Sequence, residues 1–134
     1  MHFILKFVSL SAVGEDSTIM DYNIDAKNKI LGRLATDIAC ILQGKKNPDY
    51  DPRVPGADRV LLKNYKKISI SGKKAKDKIY YRHTGYMGHL KEATFEQAFA
   101  KNPKAVLRSV VEHMLPKNFL QAKRMKNLIF VEND

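Results

Sequence analysis

A chain of 134 residues with 44% hydrophobic content is long enough for one compact domain with a true core. Its 24 Lys and Arg against 14 acids leave a net charge of +10 and a pI near 9.7, so its surface attracts polyanions. No run approaches the roughly 18 apolar residues of a membrane span, and a single cysteine, Cys40, excludes an intramolecular disulfide and fits a reducing compartment.

The chain opens with "MHFILKFVSLSAV", which has the apolar character of a signal segment but lacks a basic start and is interrupted by Lys6. Secretion is not expected. A transit peptide is disfavoured by the acids nearby and by the absence of Arg before Arg33. Residues 1–19 read as an N-terminal extension of unknown role, in which Phe3, Ile4, Leu5 and Phe7 are able to pack as an added strand. The domain proper is expected over residues 20–134. The first 25 residues hold one Lys against four acids, so the basic part is the body of the protein.

"MDYNIDA" (20–26) alternates Tyr22 and Ile24 with polar neighbours and predicts a strand. In "ILGRLATDIACILQG" (30–44) the apolar residues recur at helical spacing, Cys40 falls in the apolar pattern as a small buried hydrophobe, and Gly44 stands where a left-handed C-terminal cap belongs. "KKNPDYDPRVPGA" (45–57) carries three prolines and predicts an irregular surface loop. "DRVLLKN" (58–64) and "KKISIS" (66–71) read as two strands, the first apolar enough for a sheet covered on both faces. "GKKAKDK" (72–78) predicts a basic turn into the strand "IYYRH". Thr94 and Gln97 have capping-box spacing for a helix that ends near Asn102, and Pro103 suits the first turn of another with Val106, Leu107, Val110, Val111 and Met114 as its buried stripe. Pro116 ends that helix. A short basic helix over about 117–126 and a last strand, "LIFVE", complete the chain. Strands interleaved with helices predict an α/β fold with a mostly parallel sheet.

Catalytic readings find little support. His83 and His89 are six apart and Cys40 is remote, so no metal-ligand spacing exists. No nucleophile elbow flanks Ser69, Ser71 or Ser109. Glu92 and Glu96, one helical turn apart, are explained as acids complementing a helix dipole. No dinucleotide or Walker sequence follows a strand. No cofactor and no small-molecule substrate are expected.

Nucleic-acid binding accounts for charge and residue type together. Lys and Arg neutralise phosphates, while tyrosines stack on exposed bases. Lys73, Lys74, Lys76 and Lys78 crowd one basic turn, although a charge run is often only a solvated surface. In "HTGYMGH" (83–89), Gly85 and Gly88 permit close backbone approach to phosphate, or serve only the turn. A KH domain also uses a G-x-x-G loop, but between two helices, whereas a strand precedes this one.

Three stretches, "GRLAT" (32–36), "KIYYRHTGYMGHLKEATF" (78–95) and "HMLPKNFLQAKRMKNL" (113–128), follow one another in an order that resembles the bacterial-type large-subunit ribosomal protein L-thirteen family. The resemblance runs from about Asp21 to Val131, with Tyr50 and Pro52 in the loop. It implies a three-layer α/β/α domain with a mostly parallel central sheet of about four strands and a basic hairpin-like extension. It further implies direct binding of large-subunit ribosomal RNA, early entry into assembly, neighbouring ribosomal proteins as partners, and no enzymatic activity. The family usually has glycine where this chain has His113 and Asn118, and a tryptophan near Asp21 or Tyr22 where this chain has none.

The resulting expectation is a structural constituent of the large ribosomal subunit in a cytoplasmic ribosome, an organellar one being left open. The alternative is a free-standing RNA-binding or translational regulatory protein of the same fold. Expected phosphate contacts are Lys45, Lys46, Lys73, Lys74, Lys76, Arg82 and Lys91, with Lys117, Lys123, Arg124 and Lys126 near the C-terminus. Tyr50, Tyr81, His83 and Tyr86 are expected to stack or hydrogen-bond, and Thr84, Gly85 and Gly88 to bring the loop backbone against RNA.

Overall fold

The computed structural model describes residues 19–132; the expectation of an added strand near residues 3–7 lies outside them. Strand β1 (Asp21–Asp25) leads into helix α1 (Leu31–Leu42), and β2 (Arg59–Lys63) returns parallel to β1. After a long excursion, β5 (Leu128–Phe130) pairs parallel to the other edge of β2, giving the order β1-β2-β5. The excursion contains a one-turn helix α2 (Lys74–Asp77), an antiparallel hairpin of β3 (Ile79–His83) and β4 (Leu90–Thr94), and helices α3 (Phe95–Lys101), α4 (Pro103–Met114) and α5 (Leu120–Lys126).

Register explains the core. Tyr22, Val60 and Leu128 align across the sheet, as do Ile24, Leu62 and Phe130, so all six point to one face. Against it packs α1, whose Leu34, Ile38 and Leu42 are fully buried, together with Val106, Leu107 and Val111 of α4. Each such side chain contributes roughly 1.5–3 kcal/mol on burial. The opposite face carries Asn23, Leu61 and Ile129, which are half-buried to exposed. The described residues therefore establish a mixed α/β unit but not the expected third layer.

Helix ends follow the sequence closely. The Gly44 N–H bonds the Ile41 carbonyl and the Lys45 N–H the Cys40 carbonyl, the paired bonds of a Schellman cap, with Gly44 at φ +78°. Cys40 itself is half-buried, not fully so. Thr94 and Gln97 form the capping box of α3, and the Asn102 side chain caps α4 ahead of Pro103. Of the α4 stripe, Met114 remains exposed, at the last turn.

Three expectations are corrected. "KKISIS" is not a fourth strand: Asn64, at φ +54°, turns the chain out of β2 into a 3-10 turn (Tyr65–Lys67). Only Ser69 then makes a parallel bridge, with Ile30. Ile68 and Ile70 still pack on the core, so the alternation marked burial and not a ladder. The basic turn at 72–78 is helical over Lys74–Asp77, and the last helix begins at Leu120, leaving Lys117 in the preceding loop.

Candidate nucleic-acid interface

The expected contact residues gather into two groups. One joins the 45–57 loop to α5, where β2 and β5 begin; the other consists of α2 and the hairpin, which leave from the far end of β2.

The first group is anchored from within. Arg124, only 2% exposed, donates from one guanidinium nitrogen to the carbonyls of Pro52 (3.5 Å) and Val54 (3.3 Å), and Asn127 Nδ2 donates to the Gly56 carbonyl (3.3 Å). At the loop's end the buried Asp58 carboxylate accepts from Asn47 Nδ2 (2.9 Å) and the Met20 N–H (3.4 Å). Arg124 is therefore a strap for the loop, correcting its assignment as a phosphate contact. Its position one helical turn after Leu120 and beside Met125, both buried, puts it on the inner side of α5. Lys45, Lys46 and Tyr50 on the loop, and Lys117, Lys123 and Lys126 around α5, are exposed. Lys46 lies 5.5 Å from the centre of the Tyr22 ring, a cation–π contact. Burial, and then the charge of Asp58, raise the Tyr22 phenol above its ordinary pKa, so that ring stays neutral. Asp58, Asn47 and Asn127 were not singled out by sequence, because only the folded chain shows which carbonyls need a donor.

In the second group Lys73, Lys74 and Lys76 are all exposed, and Ala75 is the residue of α2 turned partly inward. The hairpin register pairs Tyr80 with Ala93 and Arg82 with Lys91, so these four share one face. Tyr80 anchors the base of that face against Phe95, with ring centres 6.3 Å apart. Further out, Arg82 and Lys91 stand directly opposite each other. Two like charges in that arrangement destabilise a hairpin in water, and a bound anion removes the penalty. Tyr81 and His83 fall on the other face with Glu92 and Leu90.

At the tip, Gly85 (φ +92°) and Gly88 (φ +74°) take conformations that side chains rarely adopt. An added Cβ at either would meet nothing within 4 Å, so the turn itself requires glycine and the space around it is open. The Thr84 N–H and the Thr84 hydroxyl both donate to the His89 carbonyl (3.1 Å each), closing the loop. The Gly85 N–H donates to His83 Nδ1 (3.0 Å). Tyr86 and Met87 project from the loop, 75% and 97% exposed. Met87 was missed by sequence reading, although an apolar residue one position before a loop glycine has no core to enter.

Among the described residues no three His, Cys, Asp or Glu converge on a metal position, and no helix is long and apolar enough to cross a membrane. The family model for Ribosomal protein L13 matches residues 20–134. The chain belongs to the ribosomal protein L13 family. Among its relatives, a protein of Hamiltonella defensa subsp. Acyrthosiphon pisum (strain 5AT) named large ribosomal subunit protein uL13 is 51% identical over 96 residues, covering 72% of this chain and 68% of the relative. A protein of the same name from Chloroflexus aggregans is 46% identical over 107 residues, covering 80% and 75%. As a member of this family the chain is a ribosomal protein and not an enzyme.

Proposed function

We propose that this L13 family member is a structural constituent of the large ribosomal subunit that holds folded ribosomal RNA at two basic surfaces, in a bacterial-type cytoplasmic ribosome. The observation that carries the RNA assignment is the Arg82–Lys91 pair, two cations placed face to face on an exposed hairpin beside the lysines of α2. Such a pair costs stability in the free chain and is relieved by a phosphate lying between them. The second surface combines Lys45, Lys46 and Tyr50 with Lys117, Lys123 and Lys126. Thr84, Gly85 and Gly88 let the tip approach the backbone of RNA, and Tyr86 offers a ring for stacking. The domain that does this spans residues 20–134, and the acidic balance of the segment before it does not favour RNA.

Salt titration tests the reading. With six to ten phosphates neutralised, the affinity for a large-subunit RNA fragment should fall with log[salt] at a slope of about −0.7 to −0.9 per contact, by analogy with DNA. A total slope near one or two would mean a single cluster and would defeat the two-surface footprint.

A further inference from the structure

The two faces of the hairpin differ in chemistry. Ile79, Tyr81 and Leu90 lie on the face away from Arg82 and Lys91, and they are 41%, 61% and 52% exposed. That face has no Lys or Arg, and its one ionised group is Glu92, directly across from Tyr81. His83 shares it, but its Nδ1 already accepts the Gly85 N–H. On a chain of net charge +10, an apolar strip centred on a carboxylate is the wrong surface for phosphate. It is also a strip that water does not stabilise, since a two-stranded hairpin alone is marginal and needs a further layer on its apolar side.

We propose that the Ile79–Tyr81–Leu90 face docks a basic, apolar-cored segment of a neighbouring large-subunit ribosomal protein, with a Lys or Arg of that segment meeting Glu92. The argument is charge complementarity. Proteins that share one polyanion are themselves cationic and repel each other, so they meet where one of them offers apolar surface around an acid. Tyr81 supplies the large, rigid anchor typical of such contacts. The proposal rests on the RNA reading, because it needs the opposite face turned to RNA. It reassigns Tyr81 and His83 from RNA stacking to this protein contact.

The test places the photoreactive residue benzoylphenylalanine at position 81 or at position 82 of the full-length chain, in bacteria that depend on this chain for their large subunit. Subunits are washed in high salt, irradiated and analysed by mass spectrometry. Position 81 should join a Lys- or Arg-bearing peptide of one ribosomal protein, and position 82 should join RNA. Glu92→Lys should lower the position-81 adduct severalfold and leave the position-82 adduct in place. An RNA adduct at position 81, or none there while position 82 joins RNA, would overturn the docking face and leave the RNA reading standing. A position-81 adduct untouched by Glu92→Lys would overturn the role of charge. Failure of position 82 to join RNA would remove the RNA-facing surface and the docking proposal with it.

Discussion

The sheet β1-β2-β5 and the hairpin β3–β4 are both built from strands of five residues or fewer, yet they obey opposite rules. In the sheet, Val60 and Leu62 are fully buried, and the aligned apolar side chains of their face belong to the core that α1 covers. In the hairpin only Tyr80, Ala93 and Thr94 are even half-buried, and two cations face each other across the ladder. The sheet is stabilised by its own chain, whereas most of the hairpin is left open to solvent. Substitutions in the two regions should therefore separate stability from binding.

The largest effect is expected in the sheet's helical cover. Ile38→Ala removes a fully buried side chain between α1, α4 and the sheet, and should cost about 2–5 kcal/mol in chemical denaturation. RNA affinity measured well below the new melting midpoint should be unchanged. A loss of affinity in a folded Ile38→Ala chain would show that core and hairpin are coupled, and the division would fail.

The reverse pattern is expected from Arg82→Ala combined with Lys91→Ala. Loss of charged hydrogen bonds to phosphate should weaken RNA binding by roughly 1.5–3 kcal/mol or more. Thermal stability should stay level or rise slightly, because the cross-strand repulsion is gone. Equal binding by parent and double variant in low salt would show that this face does not meet RNA.

What was legible in the sequence follows the same division. Helix α1 and its cap, the capping box at Thr94, the Pro103 start and the strands over 21–25 and 59–63 were readable because periodicity and end signals are local. Alternation made the first hairpin strand readable and correctly separated Tyr80 and Arg82 from Tyr81 and His83. The returning strand was not read from the residues: Glu92, taken with Glu96 for an acid at a helix start, lies in β4, and the hairpin itself rested on the family resemblance. Long-range facts were not readable. Alternating isoleucines at 68 and 70 look like a strand, but whether a ladder forms depends on the left-handed turn at Asn64 and on what lies alongside. Arg124 sits among exposed lysines in a basic helix, and nothing local marks it as the one drawn inward by two loop carbonyls some 70 residues earlier in the chain.

The smallest effect, and the one most specific to the tip, is expected from Gly85→Val. The residue sits at φ +92°, where a β-branched side chain costs about 1–3 kcal/mol in backbone strain. There is no steric contribution to add, since the new Cβ would meet nothing within 4 Å. Nor is there a buried neighbour through which the strain would spread, because residues 81–92 are all exposed. The strain should then be released by opening the Thr84–His89 closure, leaving the sheet and its helices intact. Amide hydrogen exchange should quicken at Thr84 and His89 while Val60 and Leu62 stay protected, and RNA affinity should fall because Thr84, Gly85 and Gly88 no longer present one backbone surface. Gly85→Asn separates conformation from bulk: asparagine tolerates positive φ better than valine, so it should restore most of the closure and most of the affinity. If the valine chain bound RNA like the parent, the glycines would serve the turn alone; if asparagine were as damaging as valine, an RNA backbone pressed against position 85, and not the torsion angle, would be what demands glycine there.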